Sequence, residues 1–368
     1  MNLEYSTEQV ALADTVRAFL AEKAGVTDHV RAHLDNPRGT TDTVWHGLAA
    51  LGMTGLLVAP EYGGSGATMV DAGITAEALG AAVNSGPWLS CAAASRALFR
   101  FGLEDESSAL LSGVADGSVI ATVGPLTGPG PESVGNGPQV HLRGEIGRLR
   151  DAAAADIALI PVRGQAGWAL HAVSTDDLEL TEVAGIDCTS RVFLARFDDV
   201  PARVLGVAGD DAMAALRDDV LALAAADALG AAQRLLDLTI GYAVSRRQFG
   251  QPIGSFQAVQ QLCVSMFQTV ELGRGGVLRA LWAADDADGA ERRLAAARAK
   301  AFGATLATVG DTAIQVFGGI GYTWEHDAHL YLRRLLGFST FLGGSDDHLE
   351  QLGAELVAGC RRGKDTVQ

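Results

Sequence analysis

The chain has 368 residues, of which 48% are hydrophobic, 20% charged and 6% aromatic. That length exceeds the roughly 250–300 residues one hydrophobic core supports, so two or three packed units are expected and a disordered chain is excluded. Acidic residues outnumber basic ones 44 to 28, giving a formal net charge of −16, and such a chain repels phosphate backbones, so no nucleic-acid partner is expected.

The 45 glycines and 10 prolines are spread without a period, which excludes collagen-like and low-complexity architecture. Cys91, Cys188, Cys263 and Cys360 stand far apart, with no CxxC and no Cys/His pair at metal spacing. Reduced thiols and a cytoplasmic location are the expectation. Met1 to Thr7 shows no basic stretch followed by an apolar one, and no apolar run reaches the ~20 residues that cross a bilayer. Neither a signal peptide nor a membrane partner is therefore expected.

In chain order, residues 1–115 read as a helical domain. Ser6 and Gln9 have the spacing of a capping box, and Leu12, Val16, Phe19 and Leu20 then share a helical face. Val44–Leu51 and Met69–Leu79 read as further helices, with Pro60–Gly66 a loop between them. Residues 116–205 change character. Short apolar runs at Val119–Val123, Val140–Leu142, Ile157–Val162, Trp168–Val173 and Val192–Phe197 predict a small antiparallel β domain, sandwich or barrel. Thr127–Pro131, rich in Gly and Pro, is a loop. Residues 206–368 return to helix: Ala212–Ser245 contains no proline, and Ser255 is a plausible N-cap for a helix carrying Phe256, Val259, Cys263, Met266, Phe267 and Val270. Gly273, Gly275 and Gly276 sit awkwardly in that helix, so either it bends or another backbone approaches closely.

Two segments carry chemistry. In Arg246–Gln257 two arginines end a long helix, a Gly/Pro turn follows and a new helix opens, a combination that can seat a phosphate or pyrophosphate. Taken alone, arginines complementing a helix dipole explain it as well. Gln315–His326 contains Gly318, Gly319 and Gly321, which permit close backbone approach to a ligand or simply end a helix. His326 and His329 could share a helical face, yet no metal site is expected. No activated serine is marked either.

Together the segments resemble the acyl-CoA dehydrogenase family across essentially the whole chain. The R-x-x-F-G motif is matched by Arg246, Phe249 and Gly250, with Gln257 at the downstream Gln; Q-x-x-G-G-x-G-Y is matched by Gln315, Gly318, Gly319, Gly321 and Tyr322. A P-E-x-x-G-G-x-G loop, one residue shorter, runs from Pro60 to Gly66, and Asp187, Thr189 and Arg191 followed by Val200-Pro201 look like the family's strand pair before the last domain. The resemblance implies an α+β fold with an N-terminal helical domain, a central small antiparallel β domain and a C-terminal helical bundle. It implies FAD at a subunit interface, reached by Arg246, Phe249 and Gln257 at its pyrophosphate and adenine side, and by Gln315, Gly318 and Gly319 from the adjacent subunit. The implied reaction is α,β-dehydrogenation of an acyl-CoA thioester. A carboxylate takes the α-proton, the β-hydrogen leaves as hydride to the flavin, and an electron-transfer flavoprotein accepts the electrons.

The pattern breaks at the base. The family's glutamate lies either in a C-terminal loop, which here reads Phe341-Leu342-Gly343-Gly344-Ser345, or in the helix before the Arg motif, where counting back from Gly230 reaches Val220. Asp346 and Asp347 come later, where a helix start favours them. Asp218 and Asp219 are neighbours of Val220, but each step around a helix turns a side chain by roughly 100°; either could be a displaced base, Asp219 being the named candidate, and a solvated acidic helix start is the alternative. The family's flavin-lining loop shrinks to Thr122–Pro125, and its W-I-T-N strand is replaced by Arg148-Leu149-Arg150-Asp151. Such a split resembles actinobacterial α2β2 members, notably in sterol side-chain breakdown, in which one chain lacks the base. The expected role is that base-lacking subunit, partnered by a related dehydrogenase chain. A self-sufficient homo-oligomer using a displaced base such as Asp219, and a non-enzymatic scaffold, are the alternatives.

Overall fold

The computed structural model of the chain describes residues 4–102, 107–135 and 137–365. Met1–Leu3, part of the segment read for a leader, and the Cys360 side chain lie outside the described set. Helices α1 (Thr7–Lys23), α2 (Asp42–Ala50), α3 (Met69–Ala81), α4 (Trp88–Phe101) and α5 (Ser108–Asp116) come first. The Ser6–Gln9 capping box forms in both directions, and Val16 and Leu20 are buried as their spacing requires. Thr68 and Asp71 make a second box at the start of α3. Among the described residues no helix is long and apolar enough to cross a membrane.

Seven strands follow: β1 (Ala121–Val123), β2 (Glu132–Val134), β3 (Gln139–Arg150), β4 (Ile157–Gly164), β5 (Gly167–Ser174), β6 (Glu179–Glu182) and β7 (Val192–Ala208). They form one sheet in the order β1-β4-β5-β7-β3-β2, with β6 on β7. It is antiparallel except at its edge, where β1 runs parallel to β4. The long β7 pairs with β3 through most of its length, with β6 through its first half and with β5 through its second. Strand alternation divides β4 between two cores: Ala158, Ile160 and Val162 face the sheet's own core, while Leu159 packs with α4, α5 and the start of the next helix.

The last part comprises α6 (Asp210–Ser245), a two-residue-strand hairpin of β8 (Arg247–Gln248) and β9 (Gln251–Pro252), α7 (Gln257–Asp286), α8 (Gly289–Ala301), α9 (Gly303–Phe317), α10 (Ala328–Thr340) and α11 (Ser345–Asp365). Ser255 is not the N-cap of α7. It sits in a 3-10 turn, its hydroxyl donates to the Pro252 carbonyl, and Phe256 takes the cap position. α7 runs unbroken through its glycines. A Cβ on Gly273 would lie 3.2 Å from Leu306 and 3.4 Å from Phe302, whereas one on Gly275 or Gly276 would meet nothing.

α6 is the axle of the molecule, packed against α3, α4, α7, α8, α9 and α10. Its contact with α3 needs two glycines: a Cβ on Gly80 would lie 1.8 Å from the Asp227 carbonyl oxygen, and one on Gly230 would lie 1.8 Å from that of Glu77. Through this crossing the first and last helical regions share one hydrophobic core. The Asp227 carboxylate, on the same turn, accepts two hydrogen bonds from Arg334 of α10 at 2.7 and 2.8 Å. Arg334 also donates to Thr189 Oγ1 at 2.9 Å and to the Asn84 carbonyl at 3.0 Å. One guanidinium thus touches both helical regions and the segment leading into β7.

A second buried cluster lies nearer the start of α6. Asp219, fully buried, accepts from Arg96 Nε at 2.8 Å and from Arg100 Nε and Nη2 at 2.9 Å. Asp218 faces Arg292 at 3.2 Å. Burial pushes the Asp218 carboxyl up to about 6, against the pull of Arg292.

Removing Arg334 leaves Asp227 buried without its partner, and such broken buried pairs cost about 3–5 kcal/mol. Arg334→Ala is expected to lower unfolding stability by that amount in urea titrations. Arg38→Ala, which breaks only an exposed pair with Asp42, should change it by less than about 0.5 kcal/mol. A carboxyl raised on folding favours the folded state at low pH, and that contribution disappears as pH rises through its folded value. Relative to Asp218→Asn, the wild-type chain should therefore lose about 1–2 kcal/mol of stability between pH 5 and 7.5; parallel pH profiles would remove Asp218 as the cause.

Candidate functional site

A cavity of 390 Å³ lies where the three regions meet. α4 and α6 supply apolar walls through Ala93, Val220, Leu223 and Ala224. The loop after β1 adds Gly124 to Thr127, and the chain leaving α10 adds Phe341, Leu342 and Gly343. β3 contributes Gly147, Arg148 and Arg150. Both places where the resemblance puts a catalytic glutamate therefore do line one cavity, and they are filled by Val220 and by Leu342-Gly343. Asp346 and Asp347 are exposed at the start of α11, where Asp347 accepts the Gly344 N–H at 2.8 Å.

Asp219 does not line this cavity. One residue before Val220, it points at α4, where two arginines occupy its carboxylate. A base must reach its proton with a free lone pair, and this geometry makes Asp219 a structural anion. Nor are Asp218 and Asp219 a solvated helix start, since both are buried. Sequence reading missed Asp187 as the carboxylate that does line the cavity. Its Oδ1 accepts from the Thr189 amide at 2.9 Å and hydroxyl at 2.6 Å, and Oδ2 stands 3.8 Å from Arg334. With both oxygens committed, it too reads as an anchor rather than a base.

The segments expected to hold FAD lie elsewhere, at the far end of α6. Arg246 ends that helix and is exposed, with no ion-pair partner among the described residues. Phe249 (φ 52°) and Gly250 (φ 81°) form the two-residue turn between β8 and β9, both at positive φ as a primed hairpin turn demands. The Phe249 side chain is 91% exposed. Gln257 opens α7, whose first turn has no side-chain cap, so its N–H groups and the Arg246 guanidinium together suit a pyrophosphate. Gln315 is exposed on the last turn of α9. Gly318 has a φ of 66°. Gly319 is not at positive φ, and a Cβ there would meet nothing within 4 Å, so nothing in the described chain requires glycine at that point.

Tyr242, one turn before Arg246, stacks on Phe317, just before Gly318, with ring centroids 4.8 Å apart. Both segments thus sit at one end of the same bundle, side by side. Arg246 lies about 33 Å beyond Ala224 along α6, at 1.5 Å rise per residue. The cavity and the cofactor segments of one chain are not two halves of one pocket.

Family models for the acyl-CoA dehydrogenase N-terminal and C-terminal domains match residues 6–118 and 212–357. Acyl-CoA dehydrogenase FadE34 of Mycobacterium tuberculosis is 34% identical over 87% of this chain. The chain spans only 43% of that relative's length. Acyl-CoA dehydrogenase IpdE2 of the same organism is 33% identical over 95% of this chain and 97% of its own. Among solved structures, the Tcur3481-Tcur3483 steroid ACAD G363A variant superposes with a TM-score of 0.87 at 28% identity, covering 96% of this chain and 99% of that one. The ChsE4-ChsE5 complex of Mycobacterium tuberculosis gives 0.88 at 25% identity, covering 97% and 99%. The chain belongs to the acyl-CoA dehydrogenase family, FAD-dependent oxidoreductases that act on CH–CH bonds.

Proposed function

We propose that this chain is the base-lacking subunit of a two-chain acyl-CoA dehydrogenase, in which it completes the FAD site of a related catalytic subunit. One observation carries the reading: both base positions line the cavity without a carboxylate, while the FAD-reaching residues stay together and exposed far from it. Arg246 and the open first turn of α7 would hold the pyrophosphate. Phe249 and Gln257 would meet the adenine side, and Gln315, Gly318 and Gly319 would close on the same cofactor. When bound, FAD supplies the hydride acceptor, and the partner chain supplies the base.

Two of the similar structures are named as pairs of chains, and one of those names describes a steroid ACAD. FadE34 is more than twice as long as the segment it shares with this chain, which leaves room for a second unit of the same size. These support a heterotetramer acting on a bulky acyl-CoA in sterol or fatty-acid breakdown, with an electron-transfer flavoprotein as acceptor and a cytoplasmic location. A scaffold that binds no cofactor has no use for an unpaired Arg246 beside an uncapped helix and an unhindered Gly319.

Flavin absorbance tests this directly. Expressed alone, the chain should purify with little FAD; co-expressed with its catalytic partner, about one FAD per two chains is expected. Arg246→Ala should then weaken FAD retention about tenfold or more, the scale of losing a charge-assisted phosphate contact. One FAD per chain in a homogeneous preparation that turns over an acyl-CoA would overturn the reading.

A further inference from the structure

Two guanidinium groups, Arg148 and Arg150, line the central cavity with no side-chain hydrogen bond or ion pair among the described residues, although the charge of the adjacent Asp151 acts on Arg150 through space. β3 loses register with β7 between Ile146 and Leu149, and Arg148 takes a φ of 62° in that irregularity. Leu149 is fully buried in the sheet's core, so Arg148 and Arg150 fall together on the opposite face, which borders the cavity. Neither has a carboxylate within ion-pair distance among the described residues. Arg150 Nε is buried with no hydrogen-bond partner, and its guanidinium lies 5.4 Å over the Phe341 ring. Asp187 on the same wall is held by Thr189 and faces Arg334, and the neighbouring Asp151 takes the Ser90 hydroxyl. A buried, unsatisfied charged donor is destabilising. The first turn of α4, with no side-chain cap, borders the same space and adds the positive end of a helix dipole.

We propose that this cavity binds an apolar carboxylate, its acid group forked by Arg148 and Arg150 and its body against Ala93, Val220, Leu223 and Leu342. Guanidinium groups match the planar carboxylate in geometry as well as charge, and the apolar walls and volume suit a small-molecule ligand. A neutral ring in the same place would leave both arginines unpaired. The inference rests on the reading that no catalytic flavin ring fills this chain's own cavity.

Isothermal titration of the purified assembly with dodecanoate, below its micelle concentration, tests it, with methyl dodecanoate as the comparison. The acid should bind at about one per copy of this chain, with the ester at least about tenfold weaker. Arg150→Gln and Arg148→Gln should each weaken the acid about tenfold, while Arg163→Gln, on an exposed surface, should not. Ala93→Trp, which fills the cavity and leaves both arginines, should abolish binding. Equal affinity for acid and ester, or arginine variants that bind like wild type, would each overturn the proposal. Flavin is read in the same samples: one FAD per chain would overturn both this inference and the function reading, whereas half that amount with no preference for the acid overturns the inference alone.

Discussion

The buried pair of Asp227 and Arg334 is the contact on which the rest of the arrangement depends. Asp227 is constrained twice: its backbone carbonyl faces Gly80 across a crossing too close for a Cβ, and its carboxylate is gripped by Arg334. Arg334 spends its remaining donors on Thr189 and Asn84. Helix α3, helix α6, helix α10 and the approach to β7 are therefore fixed relative to one another at a single point. The apolar core alone would tolerate small slides between these elements, because alanine-rich helices offer shallow ridges. Directed hydrogen bonds from a planar group do not. The cavity opens where these elements diverge, so its shape inherits that registration.

Once α6 is fixed, it acts as a ruler. Its first half forms a cavity wall and its C-cap is Arg246, about 33 Å away from Ala224 by helical rise. Neither end can serve the other within one chain. Apolar exposure tells the same story at the Arg246 end, where Val244, Phe249 and Tyr322 are 68, 91 and 73% exposed. Clustered exposure of that degree marks a surface normally covered. The helix length alone makes the cavity and the Arg246 end two separate surfaces of the chain, before any catalytic residue is considered.

What the sequence discloses divides along the same physical line. Local signals were legible: the Ser6–Gln9 capping box, the proline-free α6 and the glycine-marked turns depend on neighbours a few residues away. The two segments that resemble the family's cofactor motifs are each continuous, which is why a resemblance could be read there. Signals set by tertiary contact were not. Ser255 has the chemistry of an N-cap, but its hydroxyl turns back to Pro252 and Phe256 opens the helix. Asp218 and Asp219 look like solvent-facing acids at a helix start, yet three arginines from α4 and α8 bury them. The parallel β1–β4 pair and the short β2 and β6 have too few residues to show a period. The spacing Arg148-x-Arg150 was visible as a departure from the family strand; that both face a cavity required the register break in β3.

The charge inside that cavity argues further. Proton abstraction next to a carbonyl needs an anion that can accept a proton, and a neighbouring guanidinium stabilises the ionised carboxylate and weakens it as a base. Here the walls carry two unpaired cations, and the Asp187 carboxylate is held by Thr189 with Arg334 nearby. In that field a carboxylate at position 220 would be held ionised and made a weaker base. The charge pattern of the cavity therefore suits holding an anion that arrives already formed better than generating one.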